Sequence, residues 1–186
     1  MYRLTLVRHA ETSWNAEHRL LGATDLPLST AGMWQATQLG NRLAAAQITA
    51  AYSSDLRRAT QTARAILEAH EGVTLTQLCS LRELDFGEAE GRPPGPLPLA
   101  EQALGPLADS LRLWLAEIDT HYQDGHVLVV SHGGPLRVLL CLLLGLPPQR
   151  HWSFRLDCAG VSVVDCAPSL NTISLLNDRS HLGQSA

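Results

Sequence analysis

No stretch of the sequence is apolar over enough residues to cross a membrane. The most apolar run extends only from Val138 to Leu146, whereas a helix that spans a bilayer needs roughly twenty residues. The amino terminus reaches the charged Arg8 before a targeting segment of the usual length is complete. We therefore expect a soluble protein without a membrane partner.

Positive charge is also scarce. The chain has 18 acidic and 14 basic residues, a net charge of -4 and a pI near 6.0. Proteins that bind nucleic acids or anionic lipid surfaces usually carry an excess of basic residues. We therefore expect no nucleic-acid partner, and any anion site must be formed locally by a few residues.

The residues that most often hold metals or form disulfides are few and are not grouped. The cysteines include no Cys-x-x-Cys pair, and the histidines other than His9 and His132 form no His-Glu-x-x-His or His-x-His arrangement. These residues are Cys79, Cys141, Cys158 and Cys166, and His18, His70, His121, His126, His151 and His181. We predict reduced thiols in a cytoplasmic protein that uses neither a metal nor another cofactor.

What the sequence does contain is the alternating pattern of an α/β domain. Apolar runs predict strands at residues 4–9, 48–52, 73–78, 127–132, 160–166 and 172–176. Helical spacing is found from Ser29 or Thr30 to Leu43, at 56–67, from about 99 to 122 and at 135–144. With 186 residues and 45% hydrophobic content, we predict a single domain over residues 1–186. Its fold is predicted to be a three-layer sandwich, a mostly parallel sheet with helices on both faces and an antiparallel edge.

Two of the apolar runs end in a histidine. His9 ends the first run, and His132 ends the fourth, where Gly133 and Gly134 follow it. Ligands of parallel α/β sheets bind outside the carboxyl ends of the strands. We therefore expect the two imidazoles to share one crevice.

Arginines follow the same strand ends. Arg8 lies at the end of the first run, and Arg57 and Arg58 begin a predicted helix, where their charge opposes the helix dipole. A phosphate would compensate them, because guanidinium groups bind its oxygens in pairs. The backbone N–H groups of Gly133 and Gly134 lead into another helix, whose start can also bind an anion. We expect one residue of the Arg57–Arg58 pair to be a solvated surface residue.

These residues belong to a series of motifs that resembles the histidine phosphatase superfamily, which has the phosphoglycerate mutase-like fold. The motifs are Leu6-Val7-Arg8-His9-Ala10-Glu11-Thr12 with Trp14-Asn15, Gly22-Ala23-Thr24-Asp25-Leu26-Pro27-Leu28-Ser29, Ser53-Ser54-Asp55-Leu56 with Arg58-Ala59 and Gln61-Thr62-Ala63, Leu81-Arg82-Glu83 with Asp85-Phe86-Gly87 and Glu90-Gly91, and Ser131-His132-Gly133-Gly134. They follow the family's order and extend over nearly the whole chain. A match of this extent is poorly explained by chance.

The resemblance implies a role for each matching residue. His9 would be the nucleophile that becomes a phosphohistidine, and Glu83 would be the proton donor. The phosphoryl group would be held by Arg8, Asn15, Gly22, Arg58, His132 and Gly133. In such a site, two arginines and a second histidine stabilise the charge of the transferring group without a metal.

The chemistry accounts for these residue types. His9 must be neutral to attack phosphorus, and nearby arginines disfavour its protonated form. Glu83 must instead carry a proton for the leaving alkoxide, and apolar neighbours would favour that form. Asp85 is the alternative candidate for the acid role.

The sequence departs from the family pattern at three positions. Ala10 replaces the glycine that usually follows the nucleophile, Leu21 replaces a threonine of the mutases, and Leu84 replaces the arginine that follows the acid in mutases. Ala10 requires that the backbone avoid conformations that only glycine adopts easily. The two leucines favour a phosphatase over a mutase.

A short lid is predicted between the acid and the second histidine. Arg92 to Pro98 is too rich in proline for regular structure, and we interpret residues near 92–107 as a lid insertion. It lacks the Gly-Gly-Glu-Ser type of motif found in related small phosphatases. Because a mutase must shield its intermediate from water, a reduced lid favours hydrolysis.

We therefore predict a metal-independent phosphomonoesterase that acts on a small phosphorylated metabolite. The small size and residues 21–28 resemble α-ribazole phosphatases, which makes α-ribazole phosphate one candidate substrate. The alternatives are a cofactor-dependent phosphoglycerate mutase and a non-catalytic phosphate-binding module. No unpaired hydrophobic stripe requires a partner subunit.

Overall fold

The computed structural model describes residues 1–95 and 98–183, and for residues 98–102 it describes the backbone alone. Within these residues one sheet is built from β1 (Tyr2–Arg8), β2 (Ala50–Ser53), β3 (Leu75–Gln77), β4 (His126–Ser131), β5 (Val161–Cys166) and β6 (Thr172–Asp178). The strand order is β3-β2-β4-β1-β5-β6. The first four strands are parallel, and β5 and β6 form an antiparallel edge. The predicted sheet is confirmed.

The four predicted helices are present in the predicted order with small shifts at their ends, and a one-turn helix that was not predicted precedes them. The helices are α1 (Ser13–Ala16), α2 (Thr30–Leu43), α3 (Arg57–Leu67), α4 (Pro98–His121) and α5 (Gly133–Leu143), with short 3-10 turns at Cys79–Leu81, Gly87–Ala89, Pro148–Ser153 and Ser180–Leu182. Ser29 caps α2, because its hydroxyl accepts the N–H of Gly32 at 3.0 Å, a contact worth roughly 1 kcal/mol. Helix α5 begins directly after His132, two residues before the predicted start.

Helices cover both faces of the sheet, as predicted. On β4, Val127 and Val129 pack with α4 and α5, whereas Leu128 and Val130 pack with α2 and α3. Successive side chains of a strand point to opposite faces, and all four of these are fully buried. A strand that is covered on both faces has a continuous run of apolar residues, and this is the pattern that the sequence shows.

The segment predicted as a lid contains the start of a helix. Residues 92–95 form no helix or strand, and residues 96 and 97 lie outside the described residues. The proline-rich loop gives way to α4 at Pro98, where a missing N–H removes no helical hydrogen bond. Residues 98–107 are therefore the first turns of α4.

Two general features bear on the expectations from composition. All four cysteines are free, with Cys141 and Cys166 buried and Cys79 exposed. In the part of the chain that the structure describes, no helix combines the length and hydrophobicity that crossing a bilayer requires.

Candidate active site

The register of the sheet brings the two histidines together. Strand β4 lies between β1 and β2, and Arg8 is paired with Ser131 across β1 and β4. The residues that follow this pair are His9 and His132, whose ring centroids are 5.0 Å apart with the planes inclined by 54°. Both side chains are buried. The prediction that the two imidazoles lie together at the strand ends is confirmed.

His9 is held as a neutral imidazole with one nitrogen available. Its Nδ1 lies 2.7 Å from the carbonyl oxygen of Ala10, which can only accept, so Nδ1 carries the proton and Nε2 keeps its lone pair. Burial lowers the pKa of His9 well below its ordinary value, and the charges of Arg58 and Arg8 lower it further. The ring is therefore neutral at neutral pH.

Ala10 fits its position without strain. It has no positive φ angle, unlike His18, Ala159 and Asn177. Its N–H donates to the hydroxyl of Thr62 at 3.0 Å, a contact that ties the end of β1 to α3. The backbone at this point therefore does not require glycine.

Arg58 contacts the ring of His132 and is completely buried, whereas Arg57 is exposed, as predicted for one of the pair. The Arg58 guanidinium donates to the carbonyls of Thr24 (2.8 Å) and Gly22 (2.7 Å) and to Nδ1 of His132 (3.2 Å). Burial lowers the pKa of Arg58 to about 10, and nearby carboxylates oppose that shift. Arg58 is therefore a fixed positive charge at neutral pH.

His132 has both ring nitrogens engaged by the protein. Because Nδ1 accepts from Arg58, the proton of the neutral ring lies on Nε2 and is donated to the hydroxyl of Ser54 at 2.6 Å. Burial lowers the pKa of His132 well below its ordinary value, with further contributions from Arg58, His9 and Arg8. In this arrangement His132 orients the Arg58 guanidinium.

Glu83 reaches the start of α5. Both of its carboxylate oxygens lie 3.2 Å from the backbone nitrogen of Gly134, and Oε1 also accepts the N–H of Leu84 at 3.1 Å. A β-carbon on Gly134 would lie 2.3 Å from Oε1, so only glycine permits this approach. Asp85, the alternative acid, is exposed and accepts the N–H of Gly87 instead.

A cavity of about 210 Å³ opens in front of His9. The predicted site residues that line it are Arg8, His9, Asn15, Glu83 and Gly133, and its other lining residues are Arg19, Leu20, Leu21, Leu84, Phe86, Pro94, Gly134, Arg137, His151 and Trp152. The remaining predicted residues, Gly22, Arg58 and His132, do not line it, and Arg58 joins the other two through hydrogen bonds. Two larger cavities, of about 440 and 560 Å³, are lined in part by Met1 and Tyr2 and contain none of these site residues.

Arg137 and His151 are lining residues that the sequence analysis missed. Arg137 lies one helical turn after Gly133, so the helical period could have placed it on the same face of α5. His151 lies in the turn Pro148–Ser153, far along the chain from every motif. Nothing in the sequence around His151 indicates its position.

Glu90 links the Gly22–Thr24 turn, whose carbonyls accept hydrogen bonds from Arg58, to the loop that follows Glu83. Its carboxylate accepts the N–H groups of Ala23 (2.7 Å), Thr24 (2.8 Å) and Phe86 (3.0 Å), and also the Thr24 hydroxyl. Burial raises the pKa of Glu90, but these hydrogen bonds outweigh it and hold the pKa below its ordinary value. A β-carbon on Gly22 would lie 2.2 Å from Glu90 Oε1, which accounts for the glycine.

Glu90→Gln is expected to weaken phosphoryl binding through Arg58. The amide nitrogen would face backbone N–H groups, so the Gly22–Thr24 turn that receives the guanidinium loses its shape. We expect kcat/KM for phosphate esters to fall about ten- to hundredfold and the free energy of unfolding to fall by about 1–3 kcal/mol. Glu88→Gln, an exposed neighbour, is the control. A loss of stability with unchanged kcat/KM below the melting temperature would contradict this role.

The described residues include no group of three or more histidine, cysteine, aspartate or glutamate side chains that could hold a metal ion. The positive charge around the cavity comes instead from arginines, because all 14 basic residues of the chain are arginine.

Comparisons with known proteins identify the family of this chain. The family model of the histidine phosphatase superfamily, branch 1, matches residues 4–103 and 102–179. Phosphoserine phosphatase 1 of Hydrogenobacter thermophilus is 31% identical over 99% of this chain and 96% of that protein. The probable phosphoglycerate mutase GpmB of Citrobacter koseri is 36% identical over 91% of this chain and 87% of that protein. The α-ribazole phosphatase structure from Shigella flexneri is 26% identical, with a TM-score of 0.82 over 95% of this chain and 96% of that one.

Proposed function

The chain belongs to the histidine phosphatase superfamily, and we propose that it hydrolyses small phosphate monoesters through a phosphohistidine formed on His9. The observation that carries this proposal is a neutral, buried imidazole facing a cavity beside an unsatisfied guanidinium. Nε of Arg8 is buried and has no hydrogen-bond partner among the described residues, while its Nη1 donates to the carbonyl of Leu156 at 2.7 Å. A phosphoryl oxygen would satisfy this donor.

The first step transfers the phosphoryl group to the protein. Nε2 of His9 forms a bond to phosphorus as the bond from phosphorus to the ester oxygen breaks. Arg8, Arg58 and the N–H of Gly133 stabilise the charge on the phosphoryl oxygens. Arg58 does so through its buried positive charge, since its guanidinium is hydrogen-bonded to Gly22, Thr24 and His132. Glu83 donates a proton to the departing oxygen, so the alcohol leaves neutral.

The second step returns the site to its starting state. A water molecule attacks phosphorus, and the Glu83 carboxylate left by the first step accepts the proton of that water. The bond between phosphorus and Nε2 breaks, inorganic phosphate forms, and His9 regains its lone pair. Asn15 is held by its own helix cap, since its Oδ1 accepts the N–H of Thr12 at 3.1 Å, and its amide nitrogen remains for the phosphate.

Hydrolysis is favoured over mutase activity by the cavity wall. Leu21 and Leu84 both line the cavity, and they present apolar surface where the mutase pattern has a hydroxyl and a guanidinium. Fewer polar groups are then available to retain a phosphorylated intermediate for a second transfer. The names of the relatives make α-ribazole phosphate, phosphoserine and the phosphoglycerates the substrates to compare.

Phosphate release from a panel of phosphomonoesters in excess chelator tests the proposal. We expect the wild-type protein to release inorganic phosphate at undiminished rates with chelator present. The relative rates then rank the three kinds of ester as substrates. Isomerisation of 2- and 3-phosphoglycerate faster than phosphate release, and dependent on a bisphosphate primer, would show a mutase instead. No release and no isomerisation, with phosphate still bound, would show a non-catalytic module.

A further inference from the structure

A third arginine, Arg137, faces the cavity without an ion pair among the described side chains. Nε of Arg137 donates to the carbonyl of Phe154 at 2.9 Å, and its guanidinium lies over the ring of Trp152, with Cζ 4.7 Å from the ring centroid. Among the residues whose side chains are described, it forms no ion pair and its Nη atoms have no hydrogen-bond partner. Four of its five N–H donors therefore remain for a ligand.

Arg137 and Arg8 approach the cavity on the same side as Gly133. A β-carbon on Gly133 would lie 3.4 Å from Nη1 of Arg137 and 3.8 Å from Cζ of Arg8. Burial lowers the pKa of Arg137, and the charge of Arg8 lowers it further, whereas Glu83 and Asp157 oppose the shift. Two partly desolvated guanidinium groups this close repel each other, and an anionic ligand removes that cost.

Arg137 extends from Gly133 toward the turn Pro148–Ser153. Its guanidinium stacks on Trp152 of that turn and donates to the carbonyl of Phe154, the residue after it. His151 of the same turn also lines the cavity. Arg137 is therefore placed to meet a part of the ligand that lies beside the phosphoryl group.

The remaining walls limit the size of that part. The apolar residues that line the cavity are Leu20, Leu21, Leu84, Phe86, Pro94 and Trp152. The cavity volume of about 210 Å³ is below the roughly 300–1,000 Å³ of pockets for drug-sized ligands. A short carbon skeleton between two anionic groups matches this shape.

We propose that Arg137 binds a carboxylate carried by the leaving alcohol, so that the substrates are small phosphorylated hydroxy acids. This inference rests on the proposed function, because the phosphoryl group at His9 fixes where the second anion lies. A planar guanidinium binds a carboxylate through two parallel hydrogen bonds, and both are strengthened in a partly desolvated site. The leaving group of α-ribazole phosphate has no carboxylate to offer.

Matched pairs of esters test the carboxylate directly. Phosphoserine and phosphoethanolamine differ only in that group, and 3-phosphoglycerate differs from glycerol 1-phosphate by a carboxylate in place of a hydroxymethyl group. We expect the wild-type protein to have a kcat/KM about ten- to hundredfold higher for the acid of each pair, chiefly through a lower KM.

Variants assign the preference to Arg137. Arg137→Gln should lower kcat/KM for each phosphorylated acid to the value of the matched ester without a carboxylate. The kcat/KM of those matched esters should stay nearly unchanged. Arg137→Lys should retain part of the preference, because the charge stays but the paired hydrogen bonds are lost. Arg112→Gln is the matched control, since Arg112 is exposed on α4 and pairs with Asp109. Thermal unfolding of each variant verifies the fold.

Several results would overturn the inference. Equal kcat/KM values within each pair for the wild-type protein would do so without any variant, as would faster hydrolysis of α-ribazole phosphate than of either acid. Equal losses for both members of a pair in Arg137→Gln would place the guanidinium on the phosphoryl group. Failure of the proposed function is a separate result: no phosphate release by the wild type from any ester, or release that survives His9→Ala.

Discussion

His9→Ala is expected to abolish phosphate release while leaving phosphate binding measurable. The variant removes Nε2, the atom that attacks phosphorus, but it keeps Arg8, Arg58 and the start of α5, which hold the phosphoryl oxygens. Loss of a covalent nucleophile lowers kcat by several orders of magnitude, on the order of 10⁵. Steady-state phosphate release measures the loss, and titration calorimetry with inorganic phosphate measures the retained binding.

The control separates loss of chemistry from loss of fold. His121→Ala removes an exposed histidine whose Nδ1 contacts only the carbonyl of Glu117 on α4, so it should keep wild-type activity. His9→Ala should unfold cooperatively and bind phosphate within about tenfold of wild type. Substantial activity in His9→Ala would show that another group, or water itself, attacks phosphorus.

Glu83→Gln is expected to slow alkyl esters far more than activated aryl esters. An alkoxide is a poor leaving group that needs a proton as the bond to phosphorus breaks, whereas a nitrophenolate leaves without one. General acid catalysis contributes about 10² to 10⁴ in rate, so kcat/KM for an alkyl ester should fall by that factor and that for the aryl ester by much less. kcat/KM is the quantity to compare, because it excludes the later hydrolysis of the phosphohistidine.

The neighbouring carboxylate supplies the control for this second experiment. Asp85→Asn changes an exposed side chain that accepts a hydrogen bond from Gly87, and we expect kcat/KM for both esters to stay close to wild type. Equal losses for the two esters in Glu83→Gln would remove Glu83 from the acid role. A selective loss for the alkyl ester in Asp85→Asn would transfer that role to Asp85.

The parts of the site that sequence predicts are those set by the strand ends. His9 and His132 each follow a run of buried residues, and parallel strands bring such ends to one edge of the sheet. The register that pairs Arg8 with Ser131 then makes the two rings neighbours. A cation at the start of α3 was predicted because a positive charge in the first turn of a helix is unfavourable unless an anion lies near it. That argument applied equally to Arg57 and Arg58, and only the family resemblance selected Arg58.

Other parts of the site depend on packing that no local pattern encodes. Glu90 supports Arg58 through the Gly22–Thr24 turn, a contact between segments that are distant in the chain. His132 was expected at the phosphoryl group, yet its nitrogens contact Ser54 and Arg58, which only the side-chain directions reveal. The proline-rich loop was predicted to extend to Pro98, whereas Pro98 begins α4, because the first turn of a helix tolerates proline.

The most direct test of the account is to trap the phosphorylated protein. Glu83→Gln, mixed with an aryl phosphate in excess chelator and analysed by mass spectrometry without acid, should gain one phosphoryl group on the peptide that contains His9, because the variant lacks the base for the second step. His9→Ala treated in the same way should gain none. A phosphoryl group on another residue, or phosphate release with no phosphorylated protein at any time, would contradict a phosphohistidine mechanism at His9.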